Sequence, residues 1–120
     1  MKAIQLLSMG VACVFANQVA FADHANHSLA SARGLLTSCL SDSPTLRAMC
    51  LGYLAAISDA ALREQESGRE RRVLCVPTVV NLDAYRRSFI EFMAKSPAVF
   101  DGHSYEAVKA ALQAEWPCPA

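Results

Sequence analysis

Pro44-Thr45-Leu46-Arg47-Ala48-Met49-Cys50-Leu51-Gly52-Tyr53-Leu54-Ala55-Ala56-Ile57-Ser58-Asp59-Ala60-Ala61-Leu62-Arg63-Glu64 is the stretch on which the fold turns. Leu46, Met49/Cys50, Tyr53, Ile57 and Ala60 recur three or four residues apart, which places them on one stripe of an α-helix. Pro44 suits the first helical turn, where a missing amide hydrogen costs nothing, and Asp42 or Ser43 is the expected cap. Gly52 and Ala55-Ala56 keep part of the surface thin, which would let another helix approach closely. The charged patch Glu64–Arg72, with Gly68 inside it, closes the helix.

Upstream, residues Ser28 to Leu40 read as a helix with Leu29, Ala32, Leu36 and Cys39 on one face, broken by Ser41-Asp42-Ser43-Pro44. Downstream, Cys75-Val76-Pro77 leads to a third helix capped by Asn81. Its expected inner face is Leu82, Tyr85, Phe89, Phe92 and Met93, with Arg86, Arg87, Glu91 and Lys95 turned to water. Ser96-Pro97 stops it, because the residue before proline is pushed out of helical geometry. A fourth helix starts near Ser104, capped by Asp101 or Ser104, carries Tyr105, Val108, Leu112 and Trp116, and ends at Pro117. No alternating apolar/polar run lasts six residues, so strands are not expected. Four such helices in so short a chain predict an all-α fold, a small disulfide-stapled four-helix bundle.

The 120 residues carry 11 Lys+Arg against 11 Asp+Glu, for a net charge of zero. A nucleic-acid binder needs clustered cations to neutralise phosphates, and none is expected here. Met1-Lys2, the apolar run Ile4–Ala16 and the small residues Ala20-Phe21-Ala22 have the layout of a signal peptide. Residues 1–22 are therefore read as a leader and 23–120 as the mature domain, with cleavage after Ala16 or lipidation at Cys13 as rival processing. Asn17-Gln18 interrupts the run well short of the roughly 18 apolar residues that a membrane span wants. No stable membrane insertion is expected after cleavage, and the periplasm is the expected location.

Export leaves Cys39, Cys50, Cys75 and Cys118, an even set that reads as two disulfides in an oxidising compartment. Their separations of 11, 25 and 43 provide none of the close pairs that a zinc site uses. If the first two helices run antiparallel, Cys39 and Cys50 flank one turn. If the last two form a hairpin, Cys75 and Cys118 meet at one end. Of the three possible connectivities, Cys39–Cys50 and Cys75–Cys118 is therefore favoured, at about 3 and about 4 kcal/mol in the chain-entropy model.

Residues that could carry chemistry are few. His24 and His27 beside Asp23 lack a rigid third ligand for a metal. His103 near Asp101 could form a base with its orienting carboxylate, but the pair also suits the turn before the fourth helix. No Gly-x-Ser-x-Gly turn or phosphate-cradling glycine loop is present. No catalytic residue, cofactor or metal is expected, and the chain reads as a non-enzyme. Tyr85, Phe89, Phe92, Tyr105 and Trp116 read as core at helical spacing. The longest exposed polar loop, with Glu64, Glu66, Arg69, Arg71 and Arg72, is the candidate partner-binding surface, an ordinary solvated connector being the blander reading.

In order along the chain come Met49-Cys50-Leu51-Gly52-Tyr53-Leu54, Cys75-Val76-Pro77, Phe92-Met93 before Ser96-Pro97, and Ala110-Ala111-Leu112 to Trp116-Pro117-Cys118. Over about residues 29–118 this set resembles the Rap/Tai family of exported immunity proteins. Two positions depart from that pattern: Ala84 stands where a glutamine is usual, and Ser96 where a histidine commonly precedes the proline. The resemblance implies a periplasmic inhibitor of a peptidoglycan amidase delivered by type VI secretion, blocking the enzyme's groove, with a possible homodimer. The alternative is a general periplasmic helper, either an acid-stress chaperone or a carrier of apolar ligands. A carrier would need a cavity on the order of several hundred cubic ångströms between the second, third and fourth helices.

Overall fold

A computed structural model describes residues 28–120. Residues 1–22, expected as a leader and including Cys13, lie outside the described residues, as do Asp23, His24 and His27. Helix α1 spans Ala32–Leu40, α2 Pro44–Glu66, α3 Leu82–Lys95 and α4 Ser104–Glu115, with a 3₁₀ turn at Pro97–Val99 before α4. Each helix packs against the other three, and both expected disulfides, Cys39–Cys50 and Cys75–Cys118, are formed. The fold is an all-α, disulfide-stapled four-helix bundle.

The helix ends follow local chemistry. Ser43 Oγ accepts from the Leu46 amide with Pro44 in the first turn, and Asn81 Oδ1 accepts from the Asp83 amide. At the far end of α2 the Gly68 amide bonds the Gln65 carbonyl, and the Arg69 amide reaches back to the Glu64 carbonyl. This paired closure needs a left-handed residue after the cap, and Gly68 supplies it at φ 73°. The cap of α4 differs from expectation. His103 holds the cap position without a side-chain bond, because Asp101 pairs with Arg33 and the Ser104 hydroxyl bonds the Tyr53 hydroxyl at 2.8 Å.

Helix α1 begins four residues later than its periodicity suggests. Residues 28–31 form a turn instead, and Ser31 pairs with His103 as an isolated antiparallel bridge. The first amides of α1 then bond outward, Ala32 to the Gly102 carbonyl and Arg33 to the Phe100 carbonyl. This docking requires Gly34, since a Cβ there would lie 2.1 Å from the Ser28 carbonyl oxygen.

The buried stripes are shifted from the predicted ones. On α2 they are Cys50, Leu54, Ile57 and Ala61, with Tyr53 half-buried and Ala60 and Met49 exposed. Leucine and alanine occupy most faces of α2, so periodicity permits more than one stripe and the three packing neighbours select one. By length and composition α2 could cross a membrane, but its buried side chains face the other helices. Gly52 is exposed with nothing within 4 Å of a Cβ built on it, so the close approach expected there does not occur. On α1, Leu35 is buried and Leu36 only partly so.

On α3, Phe89 and Met93 are fully buried, but Leu82 is 45% exposed. Arg86, expected in water, is only 21% exposed and donates to the Cys39 carbonyl and to Asp83. It thereby satisfies a carbonyl at the end of α1 that the helix itself leaves unpaired. Val108 and Leu112 of α4 are buried as expected, joined by Ala107 and Ala111, while Trp116 packs edge-on against Tyr85 at 5.4 Å.

Candidate functional site

The charged stretch after the middle of α2 divides into an internal half and an external half. Helix α2 continues to Glu66, so Glu64 and Glu66 belong to its last turn and the loop proper begins at Ser67. Gln65, between the two glutamates, turns inward. Its Oε1 accepts from the Val73 and Leu74 amides, both at 2.8 Å, and its Nε2 donates to the Leu74 carbonyl at 3.0 Å. On the other side of the same segment, the Cys75 amide bonds the Trp116 carbonyl and the Cys118 amide bonds the Val73 carbonyl. The Cys75–Cys118 disulfide closes the arrangement. Residues 73–75 thus have partners on both sides, one a side chain imitating a neighbouring strand.

The arm of this loop is tied to α4. The Tyr105 hydroxyl donates to Glu64, and Lys109 bonds Glu70 at 2.7 Å with Glu64 at 3.9 Å. Lys109 also sits over the Tyr105 ring at 5.1 Å, and its side chain is only 12% exposed. The hydrogen bond to Glu64, then burial, raises the Tyr105 pKa above its ordinary value, and the bond to Glu70 raises that of Lys109. Two of the three acidic side chains in the patch are therefore occupied by α4.

Arg69, Arg71, Arg72 and Glu66 are exposed, and so is Arg63 one turn back along α2. No ion pair among the described residues involves any of these four arginines. Two concavities flank the end of α2. One, of about 490 Å³, has Leu62, Leu74 and Val76 along its wall with Gln65, Glu66 and Arg72. The other, of about 560 Å³, is bordered by Arg63, Glu64, Glu66 and Arg69. Of the five residues expected at a partner surface, Glu66, Arg69, Arg71 and Arg72 share this exposed end, whereas Glu64 is turned to Tyr105 and Lys109.

Sequence reasoning did not single out Gln65, Tyr105 or Lys109 for this role. No short-range signal marks them, because their partners are set by how α2 and α4 pack. The other candidate pair comes apart, with Asp101 at 2.9 Å from Arg33 and His103 exposed. Among the described residues no group of three His, Cys, Asp or Glu side chains could hold a metal.

No curated protein and no solved structure matches the chain. A family model described as Rap1a immunity proteins matches residues 31–118. That span begins at the cap of α1 and ends at the cysteine closing the second disulfide, so it takes in the whole four-helix body. The chain belongs to the Rap1a family of immunity proteins.

Proposed function

We propose that the protein is exported to the periplasm, where it binds and inhibits a peptidoglycan amidase delivered by type VI secretion and so protects its producer. The observation that carries this reading is the family match over residues 31–118, which favours an inhibitor over an enzyme. The two disulfides suit an oxidising compartment, and residues 1–22 have the layout of a leader. A body with a pinned loop also meets the physical need of an inhibitor, because groups ordered before binding lose less entropy on docking. Glu66, Arg69, Arg71 and Arg72 form the contact edge, and Glu64 acts from behind as a tether.

The test uses the full chain, expressed with its leader and recovered oxidised from the periplasm, as bait for peptidoglycan hydrolases. The expected result is capture of an amidase and stoichiometric loss of its activity on purified peptidoglycan, with a mature N-terminus at Asp23. Amidase activity unchanged by excess protein, for every type VI amidase offered, overturns the proposal. The carrier alternative asks for a cavity between α2, α3 and α4. The two large concavities described above instead open at the end of α2.

A further inference from the structure

The end of α2 carries more positive character than the chain's balanced composition suggests. Residues 62–76 contain four arginines against three glutamates, and Lys109 reaches across from α4 to occupy two of those glutamates. Arg63, Arg69, Arg71 and Arg72 are left facing solvent with Glu66 as their one acidic neighbour on the segment. Unpaired guanidinium groups on an ordered backbone are well suited to carboxylates, which they can bind through two parallel hydrogen bonds. We infer that this end of the molecule is the dock for an acidic segment of a partner protein, seated in the concavity beside Arg72. The inference rests on the proposed inhibitor function and names the chemistry of the surface recognised.

The shape of the dock restricts its occupant. Leu62, Leu74 and Val76 give the first concavity an apolar wall beside the Arg72 guanidinium, so the matching ligand pairs an apolar side chain with a neighbouring carboxylate. Arg63 and Arg69 border the second concavity across Glu66 and take a further carboxylate from the same segment. Glu66 stands on the border of both, so a surface of unbroken negative charge, such as an anionic membrane or a nucleic acid, meets repulsion at its centre. A polypeptide with spaced carboxylates straddles it. Gln65 and the Cys75–Cys118 closure keep residues 73–75 in place, and little ordering remains for the moment of contact.

The test is NMR of the oxidised, ¹⁵N-labelled protein titrated with a blocked peptide of repeated Glu-Leu-Glu, its Lys-Leu-Lys counterpart, and phosphatidylglycerol vesicles. The acidic peptide should shift amides within residues 62–76, and its affinity should fall about tenfold in Arg72→Glu and in Arg63→Glu/Arg69→Glu. Raising salt from about 0.05 to about 0.3 M should weaken it several-fold, because exposed charges are screened. Arg87→Glu, on α3 away from the dock, should leave it unchanged. Absence of shifts in 62–76, indifference to Arg72→Glu, or tighter binding to the vesicles or the basic peptide overturns the inference. The two proposals fail separately. An amidase inhibited equally by wild type and Arg72→Glu removes the dock and leaves the inhibitor, whereas peptide binding at 62–76 with no amidase inhibited keeps the dock and removes the inhibitor.

Discussion

The two disulfide-closed regions of the molecule solve different problems. At the first, Cys39–Cys50 spans a connection of three residues between α1 and α2, already fixed by Ser43, Pro44 and the Arg86 bond to the Cys39 carbonyl. At the second, Cys75–Cys118 holds the far side of the 67–81 connection, which has to be long, charged and exposed if it is to meet a partner. There the covalent bond secures only the base. Gln65 holds residues 73 and 74 from one side, and from the other Lys109 holds the arm at Glu70 while Tyr105 fixes Glu64 at the end of α2. A short turn is rigid by its own geometry, whereas a displayed loop is rigid only where side chains from elsewhere are supplied to it.

The two staples differ most in what their cysteines contribute to stability. Cys75→Ser/Cys118→Ser releases a 43-residue closure and should cost about 4 kcal/mol, against about 3 kcal/mol for the 11-residue closure in Cys39→Ser/Cys50→Ser. In calorimetry the first pair should lower Tm by about 15 °C or more and the second by less. The reverse order would show that loop-closure entropy does not govern these two staples. Next comes Gln65→Ala, which leaves two amides and a carbonyl without their partner and should cost about 2 kcal/mol. Hydrogen exchange at Val73 and Leu74 should rise together. Gln65→Glu keeps the accepting oxygen and should recover part of that protection.

Arg86→Met sharpens the contrast from the other region. Losing the bond to Cys39 should cost about 1 kcal/mol in denaturant unfolding, with exchange at Val73 and Leu74 untouched. The two regions also respond to pH in opposite senses. Tyr105 and Lys109 have ordinary values of 10.0 and 10.5, and both are raised by their glutamate partners. Their contribution is fully present below those ordinary values and lost as pH rises through the raised ones. Melting curves from pH 8 to 11 should therefore fall more steeply for wild type than for Lys109→Met. Asp83 has the opposite sense, since Arg86 holds it below its ordinary 3.8. Its support is present above that value and lost as pH falls through the lower one, a small slope that Asp83→Asn should remove.

Much of the frame was legible in the residues. Pro44 with Ser43, Asn81, Gly68 and Ser96-Pro97 each act over a few bonds, so the ends of α2 and α3 could be read locally. The stripes on α1 and α2 were harder. Leu35 and Leu36, or Tyr53 and Leu54, are neighbours of similar apolar character, and only the angle at which helices meet decides which is enclosed. The candidate surface was legible as a run of exposed charge, but the division of labour within it was not. Glu64 and Glu70 read like their neighbour Glu66 until α4 is placed beside them.

By itself the chain determined four helices, the caps of α2 and α3, and four cysteines beyond residue 22 with one economical pairing. Those depend on contacts within a turn or on reach between helix ends, both set by local geometry. Tertiary structure alone decided that Tyr105 is bound to Glu64 across 41 positions, that Lys109 answers Glu70 across 39, and that four arginines are left turned outward. Charge neutralisation works through space, so a residue's electrostatic role follows from its folded neighbours and not from its place in the run.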